Sequence, residues 1–244
     1  VYAVTPQNEP LNDTTAMPAA TMQTYQQSAF VGDHLGPAFA AAGLSTKILV
    51  FDHNWADWSY PVVVMNDPEV AQYAAGAAFH GYDGDASGQS SFHTYHPDAE
   101  VHFTEISGGE WSTDFATNLM WGVRNIIIDA TRNWSRSAIF WNLALNQNNG
   151  PRIGGCTNCR GVVTINTNNG HVTYEVEYYI IGHASKFVRP GAVRIASDSV
   201  TDTLETVAFR NPDGTIALLA VNPQNSARWF DVVIGGEYFS YQLN

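Results

Sequence analysis

The 244-residue chain carries 23 acidic and 11 basic side chains, a net charge of −12 with histidine neutral, and is 45% hydrophobic and 12% aromatic. That content excludes a disordered chain, and no run approaches the roughly 20 apolar residues that span a bilayer. Phosphate binding needs a basic stripe and the few cations are scattered, so nucleic acid is not an expected partner. The acidic balance suits a soluble, exported protein with a neutral substrate. A length near 250 suits one α/β barrel or two smaller domains.

The first 145 residues alternate short apolar runs with longer helical patterns. Val1–Val4 reads as a buried strand ending at Thr5-Pro6-Gln7-Asn8-Glu9-Pro10. Residues from about Ala19 to Ala42 read as a helix closed by Gly43, a usual residue just past a helix end. Lys47–Asp52 is expected as a second strand, a third lies within Ala74–Tyr82, and Glu100–Glu105 is a fourth. Phe115, Leu119, Val123, Ile126, Ile127 and Ala130 recur at spacings of three and four, which predicts an amphipathic helix from about Ser112 to Arg132. Ser137–Trp141 reads as a fifth strand. Apolar strands separated by helices indicate a parallel sheet, and α/β barrels keep their chemistry at the C-terminal ends of such strands. Five strands are present, where a complete barrel has eight.

From about Asn146 the pattern changes. A loop rich in Asn and Gly leads to Gly161–Ile165 and a Tyr-rich helix near 175–187. Short strands follow at Ala192–Ala196, Thr206–Arg210, Thr215–Val221, Arg228–Ile234 and Tyr238–Leu243, with a turn at Asn211-Pro212-Asp213-Gly214. This spacing predicts an antiparallel sandwich. The expected fold is α/β plus all-β, with a partial TIM barrel over 1–150 and a β-sandwich domain over 151–244 that includes the 175–187 helix. Cys156 and Cys159 stand in a Gly-rich loop that does not open a redox helix, and two thiols cannot make a four-ligand zinc site alone. They fit a small structural disulfide or plain loop thiols.

Glu9 and Glu105 each follow a predicted parallel strand, so a barrel would bring them to one mouth. Two carboxylates there suit glycosidic hydrolysis, one donating a proton to the leaving oxygen and the other attacking the anomeric carbon. Asn8 could bond a sugar hydroxyl, Trp141 offers a stacking face and Asn142 an amide. Tyr82 could donate to the attacking carboxylate. Asp52 and Trp55, in the strand-end run Asp52-His53-Asn54-Trp55, and His80 are further candidates for substrate binding. Each alone has a bland reading: a solvated Glu, a core Trp, a satisfied buried His. The case rests on their coincidence at strand ends.

The ordered series Thr5-Pro6-Gln7-Asn8-Glu9-Pro10, His34-Leu35-Gly36-Pro37, Phe51-Asp52-His53-Asn54-Trp55, His80-Gly81-Tyr82, Thr104-Glu105, Trp141-Asn142-Leu143-Ala144-Leu145, Gly154–Ile165 and Gly182–Val193 resembles glycoside hydrolase family 30. That group holds retaining β-glycosidases of the glucosylceramidase and β-1,6-glucanase type. The resemblance implies the C-terminal part of a (β/α)8 barrel followed by a β-sandwich. It implies Glu9 as acid/base on the fourth barrel strand and Glu105 as nucleophile on the seventh. Asn8 matches the contact to the sugar 2-hydroxyl, Tyr82 the tyrosine near the nucleophile, and Trp141 a tryptophan of the sugar site. No metal or organic cofactor is implied. The substrates implied are β-glucan, glucosylceramide or another β-glucoside, with xylan-type substrates less expected.

In this register the first three barrel strands are missing, and the chain reads as a fragment. To act as the acid, Glu9 would need a pKa raised by burial or by Glu105. Two rival readings stand beside this one. A truncated, catalytically inactive carbohydrate-binding fragment would keep Trp141, and a metal hydrolase would use His93 and His96.

Overall fold

The computed structural model describes all 244 residues. β1 (Ala3–Val4) leads through a long loop to α1, a continuous helix over residues 24–41 whose middle, Phe30–Leu35, is π-helical. β2 (Lys47–Asn54) is followed by α2 (Ser59–Met65) and α3 (Pro68–Ala71), and β3 (Ala74–His80) by α4 (Ser87–Tyr95). β4 (Glu100–Glu105) is followed by the two-residue β5 (Gly108–Gly109), by α5 over residues 115–132, and by β6 (Ser135–Ala138). The sheet runs β1-β2-β3-β4-β6 with every neighbouring pair parallel, which is half of an α/β barrel.

Three details differ from the sequence expectation. α1 starts at Thr24 and not near Ala19, because Gln23 and Gln26 close a capping box there. The segment before it is spent on loop contacts, with Met22 N–H donating to the Pro10 carbonyl. The last parallel strand lies at Ser135–Ala138, two residues before the expected start. Trp134, with φ of 79°, turns the chain directly from α5 into the sheet. Helices also occupy the connections after β2 and β3, where short, mixed segments carry little periodicity.

The second half begins with β7 (Ala144–Asn146) and β8 (Cys159–Arg160), the latter pairing antiparallel with β5. β9 (Val163–Ile165) and β10 (Val172–Tyr174) join β7 in a three-stranded sheet ordered β10-β9-β7. α6 (Val176–Ser185) lies against α5 at Gly122, where a Cβ would stand 2.3 Å from Ile180 Cδ1, so only glycine permits this approach. β11 (Val193–Ile195), β12 (Glu205–Arg210) and β13 (Ile216–Val221) form an antiparallel sheet, and β14 (Arg228–Ile234) pairs with β15 (Glu237–Leu243) as a hairpin. All five agree with the sequence expectation to within one residue at either end. The turn between β12 and β13 closes as predicted, with Gly214 N–H donating to the Asn211 carbonyl and Gly214 at φ 86°.

One hydrophobic core joins the halves: Phe51, Phe79, Phe103, Ile126 and Ile128 of the barrel share it with Val207, Phe209 and Leu219 of β12 and β13. A disulfide joins Cys156 to Cys159. Arg160 then pins the β5–β8 pair to α6, bonding Glu177 at 2.9–3.1 Å and the Gly109 carbonyl at 3.0 Å. No helix is long and apolar enough to cross a membrane.

Candidate active site

The C-terminal ends of β1 to β4 converge on one buried histidine. His80, the last residue of β3, has no exposed surface. Its Nδ1 lies 3.2 Å from Glu9 Oε1 and its Nε2 lies 3.0 Å from Asp52 Oδ1. Glu105, the last residue of β4, brings its Oε1 to 3.9 Å from the same Nδ1. The separation of the two glutamate oxygens is therefore smaller than the sum of 3.2 and 3.9 Å. That bound admits the about 5–5.5 Å of a retaining pair and overlaps only the lower end of the about 6.5–9.5 Å of an inverting one.

The backbone is bent to achieve this. β2 slips register against β3 between Phe51 and His53, and both Phe51 (φ 76°) and Asp52 (φ 72°) adopt the left-handed conformation. Such residues cost about 1–3 kcal/mol each, so surrounding contacts must hold them. The Phe51 N–H, turned out of the ladder by the bulge, donates to Oε1 of the fully buried Gln27 on α1. The bulge aims Asp52 at the strand end, where Thr5 (2.6 Å) and Thr104 (2.7 Å) donate to its two oxygens. Glu9 is also left-handed (φ 47°), and its own N–H donates to the Asp52 carbonyl. Asn12 holds Glu9 Oε2 at 2.6 Å.

These contacts order the charges. Burial disfavours a charge on His80, but its bonds to Asp52 and Glu9 outweigh that and raise its pKa to about 9. The His80 hydrogen bond, opposed by burial and aided by Asn12, holds the Glu9 carboxyl below its ordinary value. Burial pushes Asp52 up, yet His80, Thr5 and Thr104 bring it below its ordinary value. Burial raises Glu105, against the pull of His80 and of Tyr82, whose hydroxyl donates to Glu105 Oε1 at 2.9 Å. Burial lowers His53. In the free site Glu9, not Glu105, is therefore the more acidic carboxyl, the reverse of the sequence expectation. The reason is His80, which faces Glu9 more closely than it faces Glu105.

The remaining predicted residues divide. Tyr82 is 43% exposed at the mouth, and Trp141 is 39% exposed just beyond β6 with its N–H bonded to the Ile106 carbonyl. Asn8 is exposed beside Glu9. The Asn142 Oδ1 accepts from the Ala144 N–H and closes a turn. Trp55 points away from the site, 3% exposed and packed on Phe103 at 5.2 Å. Sequence reasoning gave no role to Thr5, Asn12, Thr104 or Ser107, which lies 3.3 Å from the Tyr82 hydroxyl, and named His53 only within the run Asp52-His53-Asn54-Trp55. Only their places beside recognised strand ends signal them. His93 stacks on Trp134 at 3.7 Å while His96 faces the Val62 carbonyl, so these two do not form a ligand pair.

Beneath the mouth, a cleft of about 530 Å³ runs down the inner face of the sheet past Thr104, His102 and Arg136 to Tyr2. Behind Tyr2, His102 and Arg136 the buried Glu100 accepts from Tyr2 (3.0 Å), Lys47 (2.6 Å), His102 (3.3 Å) and Arg136 (2.5 Å).

Comparison with known proteins agrees with this fold. The family model for the glycosyl hydrolase family 30 TIM-barrel domain matches residues 1–188, and that for the family 30 β-sandwich domain matches residues 191–244. An endo-1,6-β-D-glucanase of Aspergillus fumigatus is 34% identical over 236 residues, covering 91% of this chain and 45% of that protein. The lysosomal acid glucosylceramidase of Mus musculus is 28% identical over 253 residues, covering 91% of this chain and 45% of that protein. The solved structure of an endo-β1,6-glucanase superimposes with a TM-score of 0.92 at 38% identity, over 100% of this chain and 56% of that one. The chain thus spans about half the length of the relatives it matches. With both domain models matched in order and the half-barrel and sandwich in place, the chain belongs to glycosyl hydrolase family 30.

Proposed function

We propose that this chain carries the catalytic pair of a retaining β-glycoside hydrolase acting by double displacement. The observation that carries the reading is the meeting of Glu9 and Glu105 at one His80 nitrogen, 3.2 and 3.9 Å away. Glu105 attacks the anomeric carbon, and Tyr82, bonded to its Oε1, favours the ionised form. The leaving oxygen takes its proton through Glu9, and His80 Nδ1 resupplies it. Glu9 then removes a proton from the water that releases the sugar. Trp141 offers the sugar a flat apolar face, and Asn8 an amide. The substrate class we favour is β-1,6-glucan, because the fungal and solved endo-1,6-glucanases are 32–38% identical, against 28–31% for the glucosylceramidases.

Two variants test this. Glu105→Gly should abolish turnover of an activated β-glucoside, and added azide should restore it with a β-glucosyl azide as product. If no azide adduct forms, the nucleophile assignment fails. Glu9→Ala should slow natural glucan far more than substrates with good leaving groups, since only the former need the proton. Equal losses on both would sink the acid/base role.

A second reading, an inactive carbohydrate-binding fragment, is favoured by the order of acidity in the free site, where Glu9 and not Glu105 is held low. Glucan binding by the chain without hydrolysis, measured calorimetrically, would support it.

A further inference from the structure

Three ligand atoms converge beneath the mouth. Glu9, His53 and His80 each place a ligand atom within 4.8 Å of the others, with Glu9 Oε1 3.2 Å from His80 Nδ1 and 4.0 Å from His53 Nδ1. Zinc holds nitrogen and oxygen ligands at about 2.0–2.2 Å, which places tetrahedral neighbours about 3.3 Å apart. One edge already has that length, and the other two need the His53 ring to tighten. His53 is 8% exposed, and its Nδ1 is buried without a hydrogen-bond partner. A buried imidazole nitrogen in that position costs free energy until something bonds it.

The surroundings of His80 complete the pattern. Metal-bound histidines donate their far ring N–H to a carboxylate, which fixes the tautomer and raises ligand basicity. His80 Nε2 meets Asp52 Oδ1 at 3.0 Å, and Asp52 is held from behind by Thr5 and Thr104. The bulge at Phe51 and Asp52 sets this carboxylate and His53 side by side on one strand.

We infer that Glu9, His53 and His80 bind one divalent transition-metal cation of the zinc class, with Asp52 as the carboxylate behind His80, and that the bound ion blocks hydrolysis. On binding, His80 Nδ1 releases its proton to solvent and its lone pair takes the metal, while Nε2–H stays on Asp52. The ion occupies the Glu9 lone pair through which a proton would pass to the leaving group. The blocking effect rests on the acid/base reading of Glu9, whereas the binding does not.

The test titrates the chelator-treated protein with Co2+ as the probe. One equivalent should produce the visible d–d absorption of a four-coordinate ion, and Zn2+ should displace it. His53→Ala should weaken binding at least tenfold, and Asp52→Asn by about 10–100-fold. Asparagine tolerates the left-handed backbone at position 52, so the second variant keeps the bulge. Zn2+ should suppress glucan hydrolysis over the concentration range in which it binds, and EDTA should restore it.

Absence of the cobalt band, or binding unchanged in His53→Ala, overturns the site. A raised KM in His53→Ala without cobalt binding would assign His53 to a sugar hydroxyl and also overturns it. Cobalt binding with hydrolysis unimpaired upholds the site and refutes the acid/base role of Glu9.

Discussion

At the residue scale, His80 sets the pH behaviour expected of the site. Under the proposed mechanism, activity needs Glu105 ionised and a proton held on the Glu9–His80 pair. kcat/KM should therefore rise as pH passes the raised pKa of Glu105 and fall as pH passes about 9, where His80 loses its proton. In His80→Gln the proton must reside on Glu9 alone, so the falling limb should move far toward acid pH. A pH profile of kcat/KM with the alkaline limb unmoved would refute this role. Both glutamates, Tyr82 and Trp141 were legible because each follows a strand in a recognisable run. The partners of His80 were not legible, because what its two nitrogens meet depends on the register of three strands. The inward packing of Trp55 was equally hidden, since a strand-end tryptophan can face either the mouth or the core.

At the element scale, two ties hold the parts that carry the site. The disulfide loop bridges the segments following β1 and β4: Gly155 N–H donates to the Ala16 carbonyl at 2.7 Å, and Glu110 N–H to the Asn158 carbonyl at 2.9 Å. Replacing Cys156 and Cys159 together by serine removes a short closed loop, worth about 2 kcal/mol at most in the chain-entropy account. The thermal midpoint should fall by about 4–8 °C for a domain of this size. KM for glucan should rise as well, because both strapped segments adjoin the site. A changed midpoint with KM unaltered would reduce the loop to a stabilising role.

The second tie joins barrel to sandwich. Arg124 on α5 bonds Glu205 on β12 at 2.5 and 2.8 Å and Asp202 at 2.7 Å. Burial pushes the Glu205 carboxyl up, but Arg124 and the Asp202 N–H hold it below its ordinary value. Its contribution to stability is thus present above the ordinary carboxylate range and lost as pH falls through the lowered folded value. Arg124→Ala leaves Glu205 buried and unpaired. The expected cost is about 2 kcal/mol, less than for a fully buried pair because Arg124 keeps 27% of its side chain exposed. Urea unfolding at neutral pH measures it. Arg124→Met with Glu205→Leu should recover most of the loss, and failure to recover would point to packing instead of charge.

At the scale of the whole molecule, the parallel sheet has two outer edges, β1 and β6, and a cleft on one face that reaches Tyr2 and Arg136. Unpaired strand edges template association. Sedimentation velocity on the 244-residue chain should therefore show mass rising with concentration despite the net charge of −12. A single monomer boundary across a wide concentration range would show that the edges are protected. The Glu100 cluster is unusual there: a buried carboxylate bonds two cations, a tyrosine and a histidine, whereas barrel interiors are ordinarily filled by packed apolar side chains. The continuous core from Phe51 to Leu219 makes barrel and sandwich one folding unit, so variants on β12 should weaken both.

The sequence by itself determined the family resemblance, the parallel strands, and β9 and β11 to β15 of the second half, but not the short β7, β8 and β10. Those features rest on local alternation, apolar runs and turn chemistry, which a neighbouring stretch of chain is enough to reveal. The helices after β2 and β3 were weakly signalled because they are short and gain their stability from packing on the sheet. Only the tertiary structure decided the order of acidity at the site, the bulge that aims Asp52, and the approach of His53 to Glu9 and His80. Each depends on atoms from segments tens of residues apart. Burial and charge pairing act through distance in space, and the chain's linear order does not carry that distance.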